Sequence, residues 1–359
     1  MSHLSKFTKG LVAAGFDAAL ITDEIHQQYL SGFRFSDGML LVTKEKSYLI
    51  TDFRYEEAAR AQADPAFEVL TAKGGQLLCV MGLLDENACK KVAFEENSLS
   101  YAQYVRCGEI LRDYELSGGA SAILEALRLY KDESELLKME RAQAITDAAF
   151  AHILGQMTPE MTEIDVAMEL EYFMRKHGAE GLAFSTIAVS GSASSLPHGV
   201  PRPQKLERGF LTMDFGARVD GYCSDMTRTV VLGRADSEMK RLYGTVLSAQ
   251  KAALEAAHEG VSCRALDKIA RDVIDSAGYK GCFGHSLGHG VGMVVHEDPR
   301  LSPSAREEDV LTRGYTMTFE PGIYIPGKYG CRIEDMACIR PDGSFYDFTN
   351  SPKELIELF

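Results

Sequence analysis

The chain has 359 residues, 45% hydrophobic and 25% charged, which suits an ordinary globular protein with room for two domains. Its net charge of −14 speaks against nucleic-acid or anionic-membrane binding, since both want a basic face. No apolar run reaches the roughly 18 residues of a membrane span, and MSHLSKFTKGLVAAGF lacks the core and cleavage site of a signal peptide, so a cytoplasmic protein is expected.

Residues 1–125 read as an α/β domain. A helical start ends at Gly15. Strand-like AALIT over 18–22, MLLVT ending at Thr43 and SYLIT ending at Thr51 follow, with a hairpin turn at Lys44-Glu45-Lys46. RYEEAARAQ from Arg54 reads as helix, and FEVL from Phe67 and KVAFEE from Lys91 as strands. A small sheet covered by helices accounts for these elements.

Residues 126–359 read as a second domain. Asp132 with Glu135 makes a capping box that opens a long helix free of Gly and Pro until Gly155. Thr162 with Asp165 opens a second helix, with an apolar stripe of Val166, Leu170, Phe173 and Met174 and a stop at Gly178. The pattern recurs: a helix after Asp236 ends at Gly260, and CRALDKIARDVIDSA ends at Gly278. Each helix pair leads into strand-rich sequence, so two related αβ halves are expected. The eight cysteines (Cys79, Cys89, Cys107, Cys223, Cys263, Cys282, Cys331 and Cys338) include no CxxC pair and read as free thiols in a reducing compartment.

The chemistry lies in five residues within about 120 positions: Asp214, Asp225, His289, Glu320 and Glu334. LTMDFGARVDGYCSDMTRTVV reads as a hairpin turning at Asp220-Gly221. Asp214 and Asp225 are 11 apart, an odd separation that puts both on one face of an antiparallel pair. Two carboxylates so placed need a proton or a cation between them. Arg332 and Glu334, two apart on CRIEDMACI, also share a face, with Arg332 handling negative charge beside Glu334. Glu320 stands where Pro321 must stop a strand.

His285, His289 and His296 fall within twelve residues of glycine-rich sequence that disfavours the helical HExxH zinc motif. His198 joins them from another loop; His3, His26, His152, His177 and His258 lie in terminal or helical contexts and receive no role. Four carboxylates balance two divalent ions, and mostly oxygen ligation with one imidazole suits Mn²⁺, Co²⁺ or Fe²⁺, with Zn²⁺ an alternative. Two such ions, roughly 3.5–4 Å apart, lower the pKa of a shared water toward about 7 and yield a hydroxide for attack on a carbonyl.

The segments LPHG, DFGARVDGYCSDMTRT, GHSLGHGVGMVVHEDPR, EPGIYIPGKYGCRIED and SPKEL resemble the Xaa-Pro peptidases, prolidase and aminopeptidase P, of the pita-bread metallopeptidase fold. The resemblance runs from about residue 130 to 357, and the N-terminal region is similar to the creatinase/prolidase-type domain. It implies two pseudo-symmetric αβ halves. It implies that Asp214 binds one metal, that His289 and Glu320 bind the other, and that Asp225 and Glu334 bridge both. Glu320 would also move a proton, His198 and His296 would contact the substrate carbonyl, His285 would line the pocket, and Arg332 would position a carboxylate or support the cluster. The implied substrates are short peptides with proline second, and the implied assembly is a homodimer. Ser185 stands where many relatives carry Asp, and the SGSASSLPH loop is Ser-rich, which bears on substrate preference.

Three rivals follow. A methionine aminopeptidase of the same fold usually lacks the N-terminal domain. A creatinase-like hydrolase works without metal and does not keep the ligand set. A catalytically inactive peptide-binding module would have lost ligands, and all five are present here.

Overall fold

A computed structural model of the protein describes residues 2–359. Two compact units emerge, Met1–Arg128 and Leu129–Phe359. Among the described residues no helix is long and apolar enough to cross a membrane.

The first unit alternates helices and strands: α1 (His3–Ala13), β1 (Ala18–Ile21), α2 (Glu24–Ser31), β2 (Gly38–Thr43), β3 (Ser47–Thr51) and α3 (Phe53–Gln62). It continues with β4 (Phe67–Thr71), α4 (Gln76–Glu86), β5 (Lys91–Phe94), α5 (Tyr101–Ile110), β6 (Glu115–Gly118) and α6 (Ala120–Arg128). The strands form one sheet in the order β4-β3-β2-β1-β5-β6, with β2 antiparallel to both neighbours and the other pairs parallel. Leu20, Leu41, Ile50 and Val92 pack with Val80 and Leu84 of α4, so the core lies between sheet and helix.

The second unit opens with α7 (Glu133–Gln156) and α8 (Glu163–Lys176). Both start on capping boxes, Asp132 with Glu135 and Thr162 with Asp165, because each side chain satisfies a backbone N–H that helix geometry leaves free. Then come β7 (Gly181–Leu182), β8 (Ile187–Ser190), β9 (Gly209–Phe215), β10 (Ala217–Val219), β11 (Tyr222–Cys223) and β12 (Met226–Leu232). The second half repeats the plan with α9 (Ser237–Ala256) and α10 (Cys263–Ile274). It ends with β13 (Gly288–Gly290), β14 (Glu297–Leu301), β15 (Thr316–Phe319), β16 (Gly322–Ile325), β17 (Tyr329–Arg332), β18 (Asp335–Ile339), β19 (Phe345–Asp347) and β20 (Glu357–Leu358).

The expected stop of α9 at Gly260 is not where the helix ends. Ala257 already adopts extended backbone and buries its methyl group, so α9 finishes at Ala256. The expected continuous strand CRIEDMACI is also interrupted, since β17 ends at Arg332 and β18 begins at Asp335. At the break the Glu334 N–H donates to the Thr227 carbonyl at 3.1 Å, a bond to β12 in place of a regular ladder.

Each half packs one sheet against its helix pair. Leu211, Met213 and Phe215 of β9 alternate inward against Phe150, Ile153, Val166 and Leu170. The intervening Thr212 and Asp214 therefore face the other way, beside Thr229 and Thr227 of β12. In the second half Met317 and Phe319 pack with Leu242, Val246, Leu266 and Ala270. Thr316 and Thr318 point opposite, and Glu320, two residues on, continues that face. Apolar alternation against the helices thus leaves two polar faces to build a site.

Close backbone approach sets the spacing of β13. A Cβ on Gly288 would lie 2.0 Å from the Thr318 carbonyl oxygen, and one on Gly290 2.0 Å from that of Asp298. Gly288→Ala should push β13 from β15 and cost at least about 1–3 kcal/mol. Urea melts of metal-free protein check this, and an unshifted midpoint would refute it.

Candidate active site

His198, Asp214, Asp225, His285, His289, His296, Glu320, Arg332 and Glu334 all line one cleft of about 470 Å³. Asp214 pairs with Thr227 across β9 and β12, and Asp225 sits two residues before Thr227, diagonal to Asp214 on the same face. Asp220 and Gly221, at φ 49° and 85°, make the tight left-handed turn that returns the chain. Glu320 follows the last residue of β15, and its N–H donates to the Leu287 carbonyl at 2.7 Å, which holds it close to β13. Glu334 is fixed at its side chain by Thr227, whose hydroxyl donates to Oε2 at 2.6 Å.

His289 presents a defined atom. Its Nδ1 lies 3.1 Å from the Gly290 carbonyl, which can only accept, so the proton is on Nδ1 and Nε2 carries a lone pair. That lone pair faces Glu320 Oε1 at 3.4 Å and Asp225 Oδ2 at 3.7 Å. Ligand atoms of Asp225, His289 and Glu334 lie within 4.8 Å of one another, and all three residues are buried. Asp214 accepts from Arg332 Nη2 at 2.6 Å through Oδ2, while its buried Oδ1 has no hydrogen-bond partner among the described residues. Acceptors and lone pairs that face each other without donors are what a cation needs.

The electrostatics agree. Burial, then the nearby Asp214 and Glu320, pushes Asp225 well above the usual carboxylate range. Burial, then Asp225, Glu320 and Asp214, does the same to Glu334. Glu320 is pushed up to about 8 by burial, against the pull of Arg332. Burial lowers His289 to about 3, His285 to about 4, and His296 to a smaller extent, so all three imidazoles are neutral at pH 7. Burial would pull Arg332 down, yet Tyr324, Asp214, Glu320 and Glu334 keep it well above its ordinary value.

Arg332 lies beside Glu334 in the cleft, as its sequence position implies, and Glu334 is among the charges that hold its proton. Its ion pair is with Asp214, and the guanidinium also donates to Thr227 Oγ1 at 3.0 Å and Tyr324 Oη at 2.8 Å. Tyr324, having accepted from Arg332, donates to His285 Nε2 at 2.9 Å, and His285 Nδ1 donates to the Ser286 carbonyl at 2.8 Å. Arg332, Tyr324 and His285 thus form one directed chain. His296 stands with its ring 4.3 Å from that of His289 at 63°. Cys223 and Cys331 are buried packing residues whose thiols burial pushes up to about 12, so neither offers a thiolate.

Three participants escaped the sequence reading. Thr227 and Tyr324 lie inside recognised segments, yet their partners are remote in sequence. Arg300, from HEDPR, lines the cleft and forms no ion pair among the described residues.

Residues 137–341 match the model of metallopeptidase family M24, and residues 3–130 match the creatinase/prolidase N-terminal domain. The chain belongs to the M24 metallopeptidases, with a creatinase-type domain preceding the pita-bread catalytic domain in sequence. Among its relatives, an uncharacterized peptidase, YqhT of Bacillus subtilis, is 42% identical over 96% of each chain. The Xaa-Pro dipeptidase of Pyrococcus horikoshii is 37% identical over 95% of this chain and 94% of that one. Among solved structures, an Xaa-Pro dipeptidase from Bacillus anthracis superposes with TM-score 0.93 at 40% identity, covering 99% of both chains. An X-Pro aminopeptidase from Thermotoga maritima superposes with TM-score 0.91 at 37% identity, covering 98% of this chain and 100% of that one.

The shifts fix a sign for metal-free protein. The raised carboxyls bind protons more tightly folded than unfolded, so they stabilise at low pH and that contribution is lost as pH rises. The depressed His285 and His289 act oppositely, but only below about pH 6.5. Between about pH 6.5 and 8 the site carboxyls act together with Asp347, which burial raises to about 7, so chelated protein should lose thermal stability as pH rises. Saturating Mn²⁺ should reduce that loss; a midpoint indifferent to both pH and metal would contradict the clustering.

Proposed function

We propose that this chain is a dinuclear metal-dependent exopeptidase that cuts the bond between an N-terminal residue and a following proline. The reading rests on the convergence of Asp214, Asp225, His289, Glu320 and Glu334 in one cleft. The Xaa-Pro names of its relatives support the substrate class. That bond is a tertiary amide without an N–H, which a peptidase that binds its substrate as a strand cannot grip at that position.

The five residues would hold two divalent ions, most suitably Mn²⁺, with Co²⁺, Fe²⁺ or Zn²⁺ as alternatives: Asp214 at one, His289 and Glu320 at the other, Asp225 and Glu334 at both. When bound, the pair supplies Lewis acidity that ionises water at neutral pH. Glu320 takes the proton from the attacking water at its carboxylate. It returns the proton to the proline nitrogen, which must gain one to leave as a secondary amine. His296 and His198, each with an N–H to offer, hydrogen-bond the scissile carbonyl as charge grows on its oxygen. Arg332 holds Asp214 through Oδ2 and leaves Oδ1 for the metal side. Tyr324 keeps Arg332 and His285 in register.

A dipeptidase is favoured within this class by Arg300, a cleft cation suited to the free carboxylate of a C-terminal proline. Assaying Ala-Pro beside Ala-Pro-Ala with added Mn²⁺ tests this, and failure to cleave either peptide would sink the proposed function.

Two substitutions separate the roles. Asp225→Asn should abolish turnover and leave one metal ion or none after gentle purification; a fully loaded, active variant would remove Asp225 from its bridging place. His296→Ala should keep both ions and lose about 10²–10³ in kcat, the usual cost of one lost donor to a developing oxyanion. A near-normal rate would end that assignment.

A further inference from the structure

A second hollow of about 540 Å³ adjoins the cleft, and Phe184, Ser185, Thr186 and Pro201 line both. Its remaining walls are Ile164, Ala167 and Met168 of α8, with Leu182 of β7, all apolar. Its one ionisable group is Glu171, one turn further along the same helix face. Glu171 forms no ion pair among the described residues. Thr186 is 5% exposed, and its Oγ1 has no hydrogen-bond partner among the described residues. A buried hydroxyl left unbonded is unfavourable, and a polar group seated there would satisfy it.

We propose that this hollow receives the side chain of the substrate's first residue and selects a long cationic one, lysine or arginine. The proposal rests on the exopeptidase reading above. Charge sets the orientation. Ile187, which lines the cleft directly after Thr186 of the shared wall, pairs with Asp214 across β8 and β9, so the shared wall lies beside the carboxylate end of the site. A free α-ammonium is drawn to that end, while Arg300, paired with His289 across β13 and β14, attracts the leaving side. The first residue therefore stands next to the hollow. A lysine or arginine stem lies along Ile164, Met168 and Leu182, and its head reaches Glu171 at the rim. Met168, 62% exposed and flexible, adapts to the stem.

The test compares kcat/KM for Lys-Pro-Ala and Leu-Pro-Ala, and for the matching dipeptides, with Mn²⁺-loaded protein. Wild type should favour the lysine peptide. Glu171→Gln should lower the Lys/Leu ratio about three- to fivefold, as for a partly exposed ion pair. Glu171→Lys should lower it further and raise turnover of Glu-Pro-Ala. A ratio unmoved by both variants, with wild type active on either peptide, overturns this assignment and leaves the exopeptidase reading standing. Wild type inactive on every Xaa-Pro peptide brings both down.

Discussion

Four carboxyl groups share one desolvated space in this molecule, and like charges at that spacing do not stay ionised together without cations. Burial raises Asp225, Glu320 and Glu334 together, and the His289 lone pair is aimed into the same space. A protein built for stability alone would gain by replacing such a cluster with apolar side chains. Keeping it makes sense when ions supply the missing charge, as membership of the M24 metallopeptidases entails.

The scaffold serves that constraint by separating faces. Alternation along β9 and β15 sends Met213, Phe215, Met317 and Phe319 to the helices and Asp214 and Thr318 to the site. The two halves are then locked at β12. Arg228, fully buried, donates to the carbonyl of Glu334 at 2.7 Å and to Asp335 at 2.8 Å, while Thr229 donates to the Arg332 carbonyl at 2.8 Å. The strand that carries Asp225 at its head therefore also fixes the backbone of Arg332 and Glu334. Site carboxylates from opposite halves are held by one set of bonds, so their spacing does not depend on loop conformation.

Much of this was legible because it is local. A capping box acts over three residues, so Asp132 with Glu135 and Thr162 with Asp165 declare their helices in sequence. Strand period makes the face shared by Asp214 and Asp225 a matter of parity, and Pro321 marks where β15 must end. The Ser100–Gln103 box that opens α5 was equally readable and was missed, whereas α4 begins at Gly75 with no side-chain cap to read. What no local rule reaches is pairing across the fold. Arg332 chooses Asp214, 118 positions away, over the nearby Glu334, and Thr227 reaches Glu334 across 107.

The distribution of protons follows from the same distant pairings. Arg332 cannot lose its proton among these anions, so Tyr324 must accept from it and donate onward to His285. His285 is thereby held neutral with its proton on Nδ1, and His289 is held likewise by Gly290. Both imidazoles offer an unprotonated nitrogen on one side and spend their proton on backbone carbonyls. In the metal-free protein burial brings Glu320 to about 8, against the pull of Arg332. A cation bound beside it would draw that value down, so the chelated and metal-loaded forms hold the Glu320 proton differently.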